Sequence, residues 1–119
     1  MTLISINDLK KSAAIIKDIR WDVTPKIFMS PSYVPPDASR EMIDVTAGYM
    51  LYVDLIDEKP ALVIMQLKPI TSKTVGYLYD IPEELLRESM QCTASDCIGG
   101  MYPLTKKIEG WLKKEFGLS

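Results

Sequence analysis

Two cysteines carry the most versatile chemistry in this sequence. Cys92 and Cys97 bracket Thr93, Ala94, Ser95 and Asp96, and Ile98, Gly99 and Gly100 follow. Thiols at this separation in a loop can approach each other, and a helix N-terminus beside Cys97 would favour its thiolate. The pair suits redox exchange or a soft metal or iron–sulfur cluster, with Asp96, Glu88 or a second subunit completing the ligands. The spacing is not that of a Cys-x-x-Cys motif, and two thiols are half of a tetrahedral structural site. The plainer reading is two reduced thiols packed as small hydrophobes. No cofactor is expected, the metal or cluster at Cys92 and Cys97 being the one exception to test.

Histidine is absent. Imidazole is the commonest general acid–base and metal ligand, so Ser-His and Cys-His catalysis and His-based zinc sites are excluded within one chain. Carboxylates, lysines and tyrosines remain. Among these, Asp54 and Tyr52 stand out because they interrupt an apolar run. A buried Asp54 would have a raised pKa, the property of a general acid–base, with Tyr52 as its partner. The expectation nonetheless leans away from an enzyme.

A third group is basic: Lys106, Lys107, Lys113 and Lys114 near the C-terminus. Such a side could touch lipid, RNA or an acidic partner, but Glu109 and Glu115 dilute it, which favours an ordinary solvated face. Thr71-Ser72-Lys73-Thr74 lacks the glycines of a phosphate-binding loop, and Gly99-Gly100 lacks the spacing of a dinucleotide fingerprint. Seven methionines suggest an adaptable core or interface.

These residues must be positioned by a hairpin. Gly48 to Lys68 contains two runs rich in β-branched, aromatic and aliphatic residues around Asp57-Glu58-Lys59-Pro60. Pairing Leu55 with Ala61 sets Val53 opposite Val63, Leu51 opposite Met65 and Tyr49 opposite Leu67, which collects one apolar face. The other face then holds Met50, Tyr52, Asp54, Ile56, Leu62, Ile64 and Gln66, with Leu78 at its margin. A water-exposed face should be polar, so this one must be covered by a helix, a second copy or a ligand. Tyr52, Asp54 and Gln66 would be its polar points, with Tyr33 reaching in from the loop 30–39, which Pro31, Pro35 and Pro36 stiffen and which could close as a lid.

Around the hairpin, Ser5 to Asp8 has capping-box spacing, and Ile6, Leu9, Ala13, Ile16 and Ile19 recur at helical intervals, predicting a helix over about 7–19. Lys26 to Met29 suits a short strand, and Ile43, Val45 and Ala47 suit another that runs through Gly48. Thr74 to Ile81 alternates, with Val75, Tyr77, Tyr79 and Ile81 expected on one face. Asp80 can cap a helix over about 82–91 whose first turn holds Pro82, Glu83 and Glu84. Leu104, Ile108, Trp111, Leu112 and Phe116 form the stripe of a last helix over about 103–116, opened by Pro103 and closed by Gly117.

The expectation is one α+β domain over residues 1–119, an antiparallel meander of at least three strands packed by about three helices. Hydrophobic content of 47% and charged content of 25% are ordinary for a globular chain. A net charge of −2 argues against a general nucleic-acid binder. No apolar run approaches the roughly 20 residues of a membrane span, and the first residues do not read as a secretory signal, so a cytoplasmic location is expected. The functional expectation is a non-catalytic, homodimeric accessory or ligand-binding protein with a small-molecule or protein partner, acting through the apolar sheet face. The competing expectation is a thiol-dependent protein acting through Cys92 and Cys97.

Overall fold

The hairpin forms, and its turn decides how everything on it is arranged. In a computed structural model of the chain, residues 2–21, 48–66, 73–91 and 100–118 are described. Strand β2 (Tyr49–Ile56) runs antiparallel to β3 (Lys59–Gln66). Asp57 and Glu58 alone connect them, with φ of 52° and 67°. Two residues at positive φ make the mirror-image turn whose twist matches that of the flanking strands. This turn closes on Ile56 opposite Lys59, and so pairs Leu55 with Pro60, Val53 with Leu62 and Leu51 with Ile64. The register is therefore one residue away from the expected one, and each β2 face recruits the other half of β3. Pro60 fits because it stands at a non-hydrogen-bonded pair, where a strand residue's N–H points away from its partner.

The sheet has four strands in the order β1-β2-β3-β4 among the described residues. Strand β1 (Ile19–Arg20) pairs parallel to the start of β2, and β4 (Lys73–Leu78) pairs antiparallel to β3. A bulge interrupts the second pairing: Ile64 opposes Gly76 and Met65 opposes Thr74, leaving Val75 extra. Val75 consequently packs toward the main core while Tyr77 packs on the other side, and Ile81, beyond the strand, packs on the main core, so the single face expected for them is split.

Among the described residues, four helices accompany the sheet: α1 (Ile6–Lys10), α2 (Ala13–Lys17), α3 (Glu83–Met90) and α4 (Lys106–Glu115). The arrangement is α+β. The first helix expected over 7–19 is broken at Lys11 and Ser12, and Ile19 belongs to β1. Ser5 caps α1 as expected, its Oγ accepting from the Asp8 N–H at 3.1 Å. The other two caps differ from expectation. Pro82 precedes α3 directly, while Asp80 turns its carboxylate to the Ile6 N–H at 2.8 Å. Thr105, not Pro103, starts α4, accepting from the Ile108 N–H at 3.3 Å. At the other end Gly117, at φ 75°, and Leu118 donate to the carbonyls of Lys114 and Lys113, the hydrogen-bond pair of a Schellman motif.

The core lies between the helices and one sheet face. Leu51, Val53, Leu62, Ile64 and Leu78 meet Leu9, Leu86, Ile108 and Leu112 there. Leu112 is fully buried, a placement worth about 1.5–3 kcal/mol relative to an exposed position. The opposite face holds Met50, Tyr52 and Val63, with Ile56, Met65, Tyr77 and Met101 packed against them. Both sheet edges are also occupied. Leu3 bridges Tyr77 in parallel at the β4 edge, and Tyr102 bridges Val53 at the β2 edge. No described helix is long and apolar enough to cross a membrane.

Candidate functional site

Strand periodicity places Tyr52 and Asp54 on one side of β2, two residues apart. Val53, between them, faces the core and exchanges two 2.8 Å hydrogen bonds with Tyr102 across the sheet edge. That pairing brings Gly100 over Asp54: a Cβ on Gly100 would stand 2.8 Å from Asp54 Oδ1. The same Oδ1 accepts from the Leu55 N–H at 2.7 Å. Partial burial pushes the Asp54 carboxyl above its ordinary pKa, and the Leu55 hydrogen bond pulls in the opposite direction without cancelling the shift.

Tyr52 responds to the same surroundings. Burial raises its phenol above the ordinary value, the negative charge of Asp54 raises it further, and hydrogen bonding to the Thr74 side chain lowers it in part. Tyr52 therefore senses the charge of Asp54 and keeps its proton as a donor through the neutral range. Among the described residues, no Lys or Arg makes an ion pair with Asp54. The walls nearby are apolar and soft, including Met50, Met65 and Met101. A half-buried carboxyl two residues from a phenol on an apolar face can hold a small molecule by its hydrogen-bonding end.

The expected companions divide. Met50, Tyr52, Asp54 and Ile56 share a face, as expected. Their partners across β3 are Met65, Val63, Ala61 and Lys59 instead of Leu62 and Ile64. Gln66 opposes Tyr49 and so belongs to the helix-covered side, away from Asp54. Tyr33 with the loop 30–39, Cys92 and Cys97, and the strands expected near 26–29 and 43–47 lie outside the described residues. Thr74 and Gly100 are additions that only the bulge and the Tyr102 bridge reveal.

Other features lie apart from this corner. A shallow depression of about 330 Å³ is lined by Leu3, Ile4, Ser5, Asp8, Tyr79 and Asp80. On α4, Lys106 and Lys113 pair with Glu109, Lys107 pairs with Glu88, and Lys10 reaches Glu115. Lys113 also lies 5.5 Å from the Trp21 ring centre, whereas Lys106 and Lys107 remain largely exposed, as on an ordinary solvated face. No group of three or more His, Cys, Asp or Glu side chains among the described residues is placed to hold a metal ion. No protein-family model matches the chain, and neither a curated protein nor a solved structure matches it.

Proposed function

We propose that this domain is a small non-catalytic accessory protein that binds a ligand through Asp54 and Tyr52. The observation that supports this is the Asp54 carboxyl, partly desolvated two residues from Tyr52 and without an ion-pair partner among the described residues. A carboxyl so placed gains from a compact ligand with a protonated amine or an amide N–H at one end. An apolar portion of such a ligand would contact the partly exposed Met65 and Met101. The reading includes a cytoplasmic location, which cell fractionation tests.

The homodimer expected from this face needs a different surface. Met50 and Val63 are fully buried and Tyr52 is only 6% exposed within the single chain, so they offer no open patch to a second copy.

The experiment is a ligand-observed NMR screen of small primary amines and amides alongside carboxylates of matched shape. Binders should come from the amines and amides, and Asp54→Asn should weaken amine binding at least tenfold. Equal binding by wild type and Asp54→Asn, or a preference for the carboxylates, overturns the proposal.

A further inference from the structure

We propose that residues 2–10 are an exchangeable strap, and that two copies of this chain form a dimer by docking each strap on the other's β4. The strap is held by a few specific contacts. The Ile4 N–H donates to the Tyr77 carbonyl at 2.8 Å, and the Tyr77 N–H donates to the Thr2 carbonyl at 2.9 Å. Asp80 adds its bond to the Ile6 N–H. Gly76 is the seat: a Cβ there would lie 2.4 Å from Ile4 Cδ1 and 2.5 Å from the Thr2 carbonyl oxygen. The docking surface is thus shaped for this segment of this chain, and a second copy's strap meets it identically.

The hinge lies between α1 and α2. Ser12 has φ −88° and ψ 75°, and the Ala13 N–H donates to the Lys11 carbonyl at 3.1 Å, an inverse γ-turn. Ser12 Oγ donates to the Asp8 carbonyl at 3.2 Å, taking the acceptor that a continuous helix would offer to the Ser12 N–H. That N–H goes instead to the Leu9 carbonyl at 3.0 Å. Yet Ile6, Leu9, Ala13 and Ile16 keep helical spacing straight through the break, and residues 6–19 contain neither Gly nor Pro. The local sequence therefore favours an unbroken helix that the closed monomer forbids.

Little else resists opening. Helix α2 buries no residue fully and Ser12 makes no side-chain cap for it, while α1 buries only Leu9. Leu3 is 61% exposed beside the depression it lines with Ile4, Tyr79 and Asp80, and Ile4 and Ile6 are only partly buried against the core. Straightening residues 6–17 into one helix of about 18 Å carries the strap away from its own sheet. The strap–β4 contacts are identical in the two forms, so the hinge and the protein concentration set the balance. This inference is independent of the reading of Asp54.

Ser12→Ala tests it by removing the competing hydroxyl and supplying a better helix former. Native mass spectrometry and light scattering should show a dimer fraction several-fold above that of wild type at equal concentration. In that dimer the Ile4 and Tyr77 amides should remain protected from hydrogen exchange, and mixed isotope-labelled dimers should trade subunits slowly. Three glycines inserted between Lys11 and Ser12 should let each strap close on its own chain and return the protein to monomer. The proposal is overturned if Ser12→Ala folds but stays monomeric at every concentration. It is also overturned if the dimer trades subunits rapidly, leaves those amides unprotected or persists with the glycine insertion.

Discussion

Asp54 Oδ1 and the α-carbon of Gly100 are neighbours so close that no side chain fits between them: a Cβ on Gly100 would lie 2.8 Å from that oxygen. The oxygen is held by the Leu55 N–H, and Gly100 is held by its nearness to Tyr102, which is bonded to Val53. Gly100→Ala should therefore dislodge the carboxyl and cost about 1 kcal/mol of stability, the scale of one lost hydrogen bond. Urea unfolding measures it. The same substitution in an Asp54→Ala background should cost much less, and an equal cost in both would show that the clash is with something else.

The raised pKa of Asp54 sets the sign of a pH effect. The folded state holds the proton more tightly than the unfolded chain, whose carboxyl titrates near 3.8. Its contribution is fully present below that pH and is lost as pH rises through the higher folded value. Asp54→Asn cannot lose it, so the variant should gain on wild type as pH rises above about 4. Unfolding curves from about pH 3 to 7 should diverge in that direction, and parallel curves would remove the desolvation argument.

The hairpin turn carries strain that can be relieved. Asp57 and Glu58 occupy left-handed backbone at φ 52° and 67°, which costs non-glycine residues roughly 1–2 kcal/mol each, less for Asp. Asp57→Asn with Glu58→Gly supplies the sequence this turn prefers. Stability should rise by about 1 kcal/mol with no change in the cross-strand contacts seen by NMR. A loss would mean that the charged pair contributes more than the backbone costs.

Ser89 offers a test of the core. It is fully buried on α3, and its Oγ has no hydrogen-bond partner among the described residues. Ser89→Ala removes an unsatisfied hydroxyl with little change in volume, so it should stabilise the fold by about 1 kcal/mol. Destabilisation in thermal or urea melts would reveal a partner for the hydroxyl.

The architecture was legible where periodicity alone decides it. The hairpin, the stripe of Ile108 and Leu112 on α4 and the adjacency of Tyr52 and Asp54 all follow from local spacing. The register was not, because Asp57-Glu58 has neither the Asn nor the Gly that normally announces a two-residue turn. Gln66 followed that register and was misplaced with it. Val75 changed sides because a bulge leaves no mark in alternation. The break at Ser12 was invisible for the opposite reason: its apolar spacing is that of an intact helix. Thr74 reaches Tyr52, and Gly100 reaches Asp54, only through contacts between distant segments, which composition does not report.

The bridges at the two sheet edges impose an order on assembly. The β2–β3 hairpin closes over two residues, whereas the Ile6–Asp80 bond joins positions 74 apart. Leu3–Tyr77 and Val53–Tyr102 likewise await the arrival of remote chain. Closing a longer loop costs more entropy before any contact compensates it, so the hairpin is the natural nucleus and the edge segments are last to settle. Until they do, both flanks of the nascent sheet present unpaired backbone, the window in which a folding chain is most prone to add a strand from its neighbour.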